Sequence, residues 1–180
     1  MKRIKLAWMV SICLAIFLLC LCACSTPLSN LTPSAPAQVG ATGSTTTENQ
    51  IAHAVFQAIN QSRASNGLSA LTWSDALANS ARQHDLTRQA ANTLSHQLPG
   101  EATFGDRERQ QGVNWTWAAE NIGETSDQTV NGVLGLHQAM MNEHPPNDGH
   151  RQNILTTSGN SVGIAPLILT RFGGGVECGG

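Results

Sequence analysis

Beyond its first 24 residues the chain contains a single cysteine, Cys178. A domain made of the remainder can form no internal disulfide, so its stability has to come from a packed core. Lysine does not occur after Lys5, and the formal net charge is only −2. The basic face that neutralises phosphates is missing, which excludes a nucleic-acid groove. There is no His-Glu-x-x-His helix and no Gly-x-Ser-x-Gly elbow, so two common hydrolase signatures are absent. No internal repeat is present. The chain past its N-terminal region is long enough for one core and too short for two.

What is present begins with the N-terminus. Lys2, Arg3 and Lys5 precede an almost wholly apolar run from Leu6 to Leu21, the pattern of a secretory signal. Leu21-Cys22-Ala23-Cys24 reads as a bacterial lipobox, with a small residue before the modified cysteine. Cys20 and Cys22 fit less well, since each follows a leucine. Cleavage would remove Cys13, Cys20 and Cys22 and leave lipid on Cys24. The alternative is an uncleaved membrane anchor, for which the apolar run is barely long enough. Both readings place the following domain outside the cytoplasm and tie it to a membrane. Residues 24–47 then read as a flexible tether. They hold Pro27, Pro33 and Pro36 with a Ser-Thr-Thr-Thr run and no aromatic residue.

An amphipathic helix follows, with Ile51, Val55 and Ile59 on one stripe and a capping box read at Thr47 and Gln50. Asn66-Gly67 stops it. Ser74 caps a second helix over 75–91, with Leu77, Ala78 and Ala81 facing inward; His84, one turn on, reads as packing or surface. A short helix is expected near 106–111. Val113, Trp115 and Trp117 alternate as in a strand whose face packs on a helix. A third helix is expected over 129–143, with Val130, Leu134, His137 and Met141 on one stripe, ended by Pro145-Pro146. Residues 161–169 read as a buried strand interrupted by Pro166. Helices with strands between them indicate α/β layers.

Two histidines and two glutamates stand in short, distinctive contexts: Ser95-His96, Ala119-Glu120-Asn121-Ile122, Met141-Asn142-Glu143 and Gly149-His150-Arg151-Gln152-Asn153-Ile154. Imidazole nitrogen and carboxylate oxygen suit a divalent metal such as zinc, and they also transfer protons. Together with Phe56-Gln57-Ala58-Ile59-Asn60-Gln61-Ser62-Arg63, Leu71-Thr72-Trp73-Ser74-Asp75 and Val162-Gly163-Ile164, their order and spacing resemble the CAP superfamily of SCP-like extracellular domains. The resemblance implies a bacterial lipoprotein type divided into a signal peptide (1–23), lipidated Cys24 with its linker (24–47), a CAP domain (48–172) and a Gly-rich tail (173–180). It implies a three-layer α-β-α sandwich with a small, mostly antiparallel sheet, whose closing strand here is compressed or truncated. It also implies that His96, Glu120, Glu143 and His150 converge on one cleft and ligate zinc or another divalent metal. His144 competes with Glu143 for that place.

Three function classes follow. The first is an extracytoplasmic, membrane-anchored module whose cleft takes a metal ion and a small ligand, lipid or peptide. The second is a secreted hydrolase, either metal-dependent or using Ser95 or Ser126. The third is an envelope interaction protein whose His/Glu network only fixes the cleft walls. Fold alone does not choose among them.

Overall fold

The computed structural model describes residues 40–168. The segments read as signal and lipobox, most of the expected linker and the Gly-rich tail lie outside these residues. Helix α1 spans Thr46–Ser65. Its capping box sits earlier than the sequence suggests, at Thr45 and Glu48. Glu48 wins over Gln50 because its carboxylate does more than cap. It accepts from Thr45 N at 2.7 Å, from Arg82 at 3.3 Å and from Ile168 N at 3.1 Å, and the residue is 2% exposed. Burial pushes this carboxyl up, but the two backbone donors and Arg82 outweigh it, and the net shift is downward.

Residues 40–45, assigned to the tether from composition, pack against the domain. Ala41 is buried with Ala78 and Ala165, and Thr42 N donates to Asn79 Oδ1 at 2.6 Å. Helix α1 stops at Asn66, followed by Gly67 at φ +72°, as the Asn-Gly pair predicts. Strand β1, Thr72–Trp73, comes next. Its approach is held by Asn60, whose side chain pairs with both backbone groups of Leu71, at 3.1 and 2.8 Å.

Helix α2 spans Asp75–Ala91, capped by Ser74 and ended by Asn92 in the left-handed conformation. Helix α3 is Phe104–Gln110, helix α4 Val130–Met141 and helix α5 Gly149–Ile154. Strand β2 is Ser161–Val162 and runs parallel to β1, with Thr72 opposite Ser161 and Trp73 opposite Val162. Among the described residues this two-stranded parallel pair is the whole sheet. The mostly antiparallel sheet is not observed there. The strand read over 161–169 shortens to two residues. Gly163 carries the chain against α2: a Cβ there would lie 2.0 Å from Ala78 N.

Val113–Trp117 is not a strand either. Trp115 packs on α3, donating Nε1–H to Gly105 O at 3.1 Å and stacking under Arg109, whereas Trp117 is 40% exposed. Alternation of apolar residues needs a ladder partner to become a strand, and this segment has none among the described residues.

The main core joins α1 and α4. Ile51, Val55, Ile59, Leu71 and Ile154 are buried, with Val130, Val133, Leu134, Met140 and Met141 against them. The α4 stripe therefore faces α1 as its periodicity requires. Arg63, 3% exposed, ties the end of α1 to the end of α5 by donating to Ser69 O, Ile154 O and Thr156 O at 2.7–2.8 Å. Among the described residues no helix is long and apolar enough to cross a membrane.

Candidate functional site

Helix α4 ends at Met141, and the chain turns through Glu143 and the proline pair into α5. This turn places the Glu143 carboxylate over the start of α5. Oε2 accepts from the backbone N–H groups of His150 and Arg151, at 3.0 and 3.3 Å. Oε1 pairs with His150 Nδ1 at 2.5 Å. Asp148 precedes the helix but makes no side-chain cap, so Glu143 takes that role. The hydrogen bond from His150, with the backbone donors and the imidazole charge, holds the Glu143 carboxyl below its ordinary range. His144, the competing candidate, is exposed and not part of this arrangement.

The second pair is built differently. His96 Nδ1 lies 2.9 Å from Glu120 Oε2. Glu120 Oε1 is gripped by both terminal nitrogens of Arg107, each at 3.1 Å. Arg107 is 6% exposed, and its Nη2 also donates to His96 O at 3.2 Å. Behind it stands Glu101, 3.6 Å from Arg107 Nε, which pairs with His84 Nδ1 at 2.7 Å. His84 Nε2 bonds Ser95 O at 3.0 Å and approaches Glu120 Oε2 at 3.9 Å. His84, 1% exposed, thus supports the loop that carries His96. Glu108, on the same helix as Arg107, accepts from Ser80 at 2.8 Å, and burial raises its carboxyl. Asp85, beside His84 on α2, is pushed up to about 6, chiefly by desolvation and against the pull of Arg88.

The two pairs face one cavity of about 410 Å³, lined by His96, Glu120, Glu143, Asn147, Gly149, His150 and Asn153. All four residues singled out from sequence therefore meet there. Two asparagines fix the wall between them: Asn121 Nδ2 donates to His150 O at 3.0 Å, and Asn153 Nδ2 to Asn121 Oδ1 at 2.8 Å. Beyond Glu120 and Asn153 lies a larger cavity of about 1230 Å³ between α2, residues 113–126 and residues 156–168. It holds neither cleft histidine.

The hydrogen bonding decides the role of each nitrogen. A carboxylate that accepts from a guanidinium or from backbone N–H groups is an acceptor only. Both imidazoles therefore present Nδ1–H to their glutamates, and each neutral ring keeps Nε2 as its acceptor. Among the described residues no three His, Cys, Asp or Glu side chains are arranged to hold a metal ion. The carboxylates are engaged with the imidazoles, which departs from a shell of four protein ligands. Ser95, one candidate nucleophile, donates its hydroxyl to Gln97 O at 2.8 Å and is tied into its own turn.

Sequence reasoning missed Glu101 and Arg107, and read Asn121 and Asn153 only as neighbours of Glu120 and His150. His84 carried one usable signal, since it falls on the inner face of α2 one turn past Ala81.

Residues 56–166 match the model of the CAP, or cysteine-rich secretory protein, family. The chain belongs to this family. Its fold is the α/β CAP fold. A solved extracellular protein containing an SCP domain from Bacillus anthracis str. Ames is 31% identical, with a TM-score of 0.55 over 65% of this chain. The match spans 37% of that protein. An outer surface protein from Borrelia burgdorferi is 22% identical over 63% of this chain and 78% of its own, with a TM-score of 0.47. None of the curated proteins matches the chain.

Proposed function

We propose that this CAP domain is an extracytoplasmic binding module whose cleft takes a divalent metal, zinc first, and that lipid on Cys24 tethers it to a membrane. The observation that carries the metal reading is the paired arrangement of His96 with Glu120 and His150 with Glu143 around one cavity. A carboxylate on Nδ1 that leaves Nε2 free is the arrangement that orients metal-ligating imidazoles and raises their basicity. The donor set fits a metal held by His96 and His150, with Glu120 and Glu143 behind them. Water or a ligand group completes the coordination. When bound, the metal would supply a Lewis-acidic point able to polarise a ligand oxygen. His96 and His150 orient it, and the glutamates hold their rings.

Affinity is modest, because His96 is 55% exposed at its side chain and only two imidazoles contribute. Extracytoplasmic placement is supported by the N-terminal sequence and by the extracellular Bacillus anthracis protein that shares the domain. The small ligand, lipid or peptide that would accompany the metal has to fit the open side of the cleft.

Isothermal titration with zinc at neutral pH tests the reading. Heat should be released by the wild type and lost in His96→Ala and His150→Ala. Acidification should weaken binding, because imidazole ligates only when neutral. A wild-type protein that gives no heat, or variants that bind as well as the wild type, would refute the metal site.

A further inference from the structure

The two arms of the cleft are supported unequally. Glu143 is held by backbone N–H groups that no side-chain truncation can remove. Glu120 has no such backbone support; behind His96 it is held chiefly by the side chain of Arg107, with His84 Nε2 farther off at 3.9 Å. We propose that Arg107 is a positioning residue of the cleft, which fixes His96 with its proton on Nδ1 and so keeps Nε2 as the acceptor facing the cavity. This deepens the metal reading above and rests on it for its significance.

Arg107 and His96 share the two oxygens of Glu120 unequally. Glu120 Oε1 receives two N–H groups from Arg107 at 3.1 Å each, which fills the two lone-pair directions of that oxygen. Oε2 takes only a longer contact from Arg107 Nη2, at 3.4 Å, and faces His96 Nδ1 at 2.9 Å. Reaching both carboxylate oxygens, the guanidinium also sets the plane of the carboxylate, which a point charge would not. Arg107 can do this because it is itself immobilised. It is 6% exposed, with Glu101 at 3.6 Å from Nε and the carbonyl of His96 accepting from Nη2. That last bond fixes the backbone of the histidine whose ring it orients. One residue thus positions both the main chain and the ring of His96. A structural ion pair would need only one of these contacts.

The expected signature is a tautomer ratio, and it can be read without metal. Imidazole nitrogen-15 shifts, recorded on metal-free protein at a pH where both rings are neutral, distinguish Nδ1–H from Nε2–H for His96 and His150. In wild type both rings should show mainly Nδ1–H. In Arg107→Gln, Glu120 loses its grip and the His96 ratio should move several-fold toward Nε2–H. The His150 ratio should stay where it was, which makes it the internal control. Arg107→Lys should give a ratio between wild type and Arg107→Gln, because one ammonium restores charge without the bidentate plane. If Arg107→Gln does not fold, Arg107→Lys decides alone: a shift toward Nε2–H supports the proposal, and an unchanged ratio overturns it. A folded Arg107→Gln with an unchanged His96 ratio, or equal shifts in both histidines, also overturns it. Zinc titration of the same samples keeps the two ideas separate. A shifted ratio with no zinc binding in wild type sustains the role of Arg107 and sinks the metal reading. Zinc binding with an unchanged ratio does the reverse.

Discussion

Ile154 and His150 lie four residues apart, on the same short helix, in opposite environments. Ile154 is 7% exposed and sits in the main core with Ile51, Val55 and Leu71. The His150 side chain is 37% exposed at the cleft. Truncating a buried isoleucine removes transfer energy and leaves a cavity, at about 2–5 kcal/mol. Loss of the histidine exposes Glu143 to water that already reaches it. Ile154→Ala should therefore lower the thermal midpoint more than His150→Ala does, and His150→Ala should weaken zinc binding more. The reverse order of melts in metal-free protein would make the His/Glu arrangement chiefly a structural network. Ile122, two residues past Glu120, is only half-buried. At this scale the four cleft residues were legible because each sits in a local pattern of neighbours. Arg107 and Glu101 were not, since nothing near them in sequence says that an intervening loop will fold back over α2.

Between elements, α1 and α4 share the main core and the polar contacts of His137. His137 on α4 is 8% exposed, and its Nε2 lies 3.1 Å from Ser62 Oγ on α1. Desolvation lowers the pKa of His137, partly offset by a bond to the Ala58 backbone. A histidine whose folded-state pKa is depressed binds fewer protons folded than unfolded. Its contribution to stability is complete above the unfolded value of about 6.5 and declines as pH falls below it. This contribution should thus fall between about pH 7.5 and about pH 5.5, against the opposite trend from the raised carboxyls of Asp85 and Glu108, and a folded His137→Gln variant should lose less of its thermal midpoint over that range than the wild type. Equal slopes would mean that other groups control the acid response. The helices were legible in sequence because apolar spacing and caps are local, although caps slid by a residue or two. The strands were not, because pairing depends on a distant partner: Val113, Trp115 and Trp117 satisfy the same alternation while Trp115 is pinned to α3.

The whole molecule brings its described beginning and end together. Ala41 and Ala165 meet on Ala78, and Ile168 N–H reaches Glu48 at the start of α1. The cleft is built by other parts: the loop before α3, the segment after it, and the turn into α5. This separation of ends from cleft was not legible, because residues 40–45 have the composition of a linker and only their packing shows that they belong to the domain. It makes chain order dispensable in principle. A circular permutant should fold when residue 168 is joined to residue 40 by a short Gly-Ser segment and the chain is opened between Gln111 and Gly112, both exposed. It should give the circular dichroism spectrum of the parent and keep its zinc response; an unfolded permutant would show that the Gln111–Gly112 connection matters more than its exposure suggests. The shared corner also gives the domain a single hilt. It can be set into the surface loop of a host protein, or repeated along a stalk, through residues that line no part of the cavity between His96 and His150.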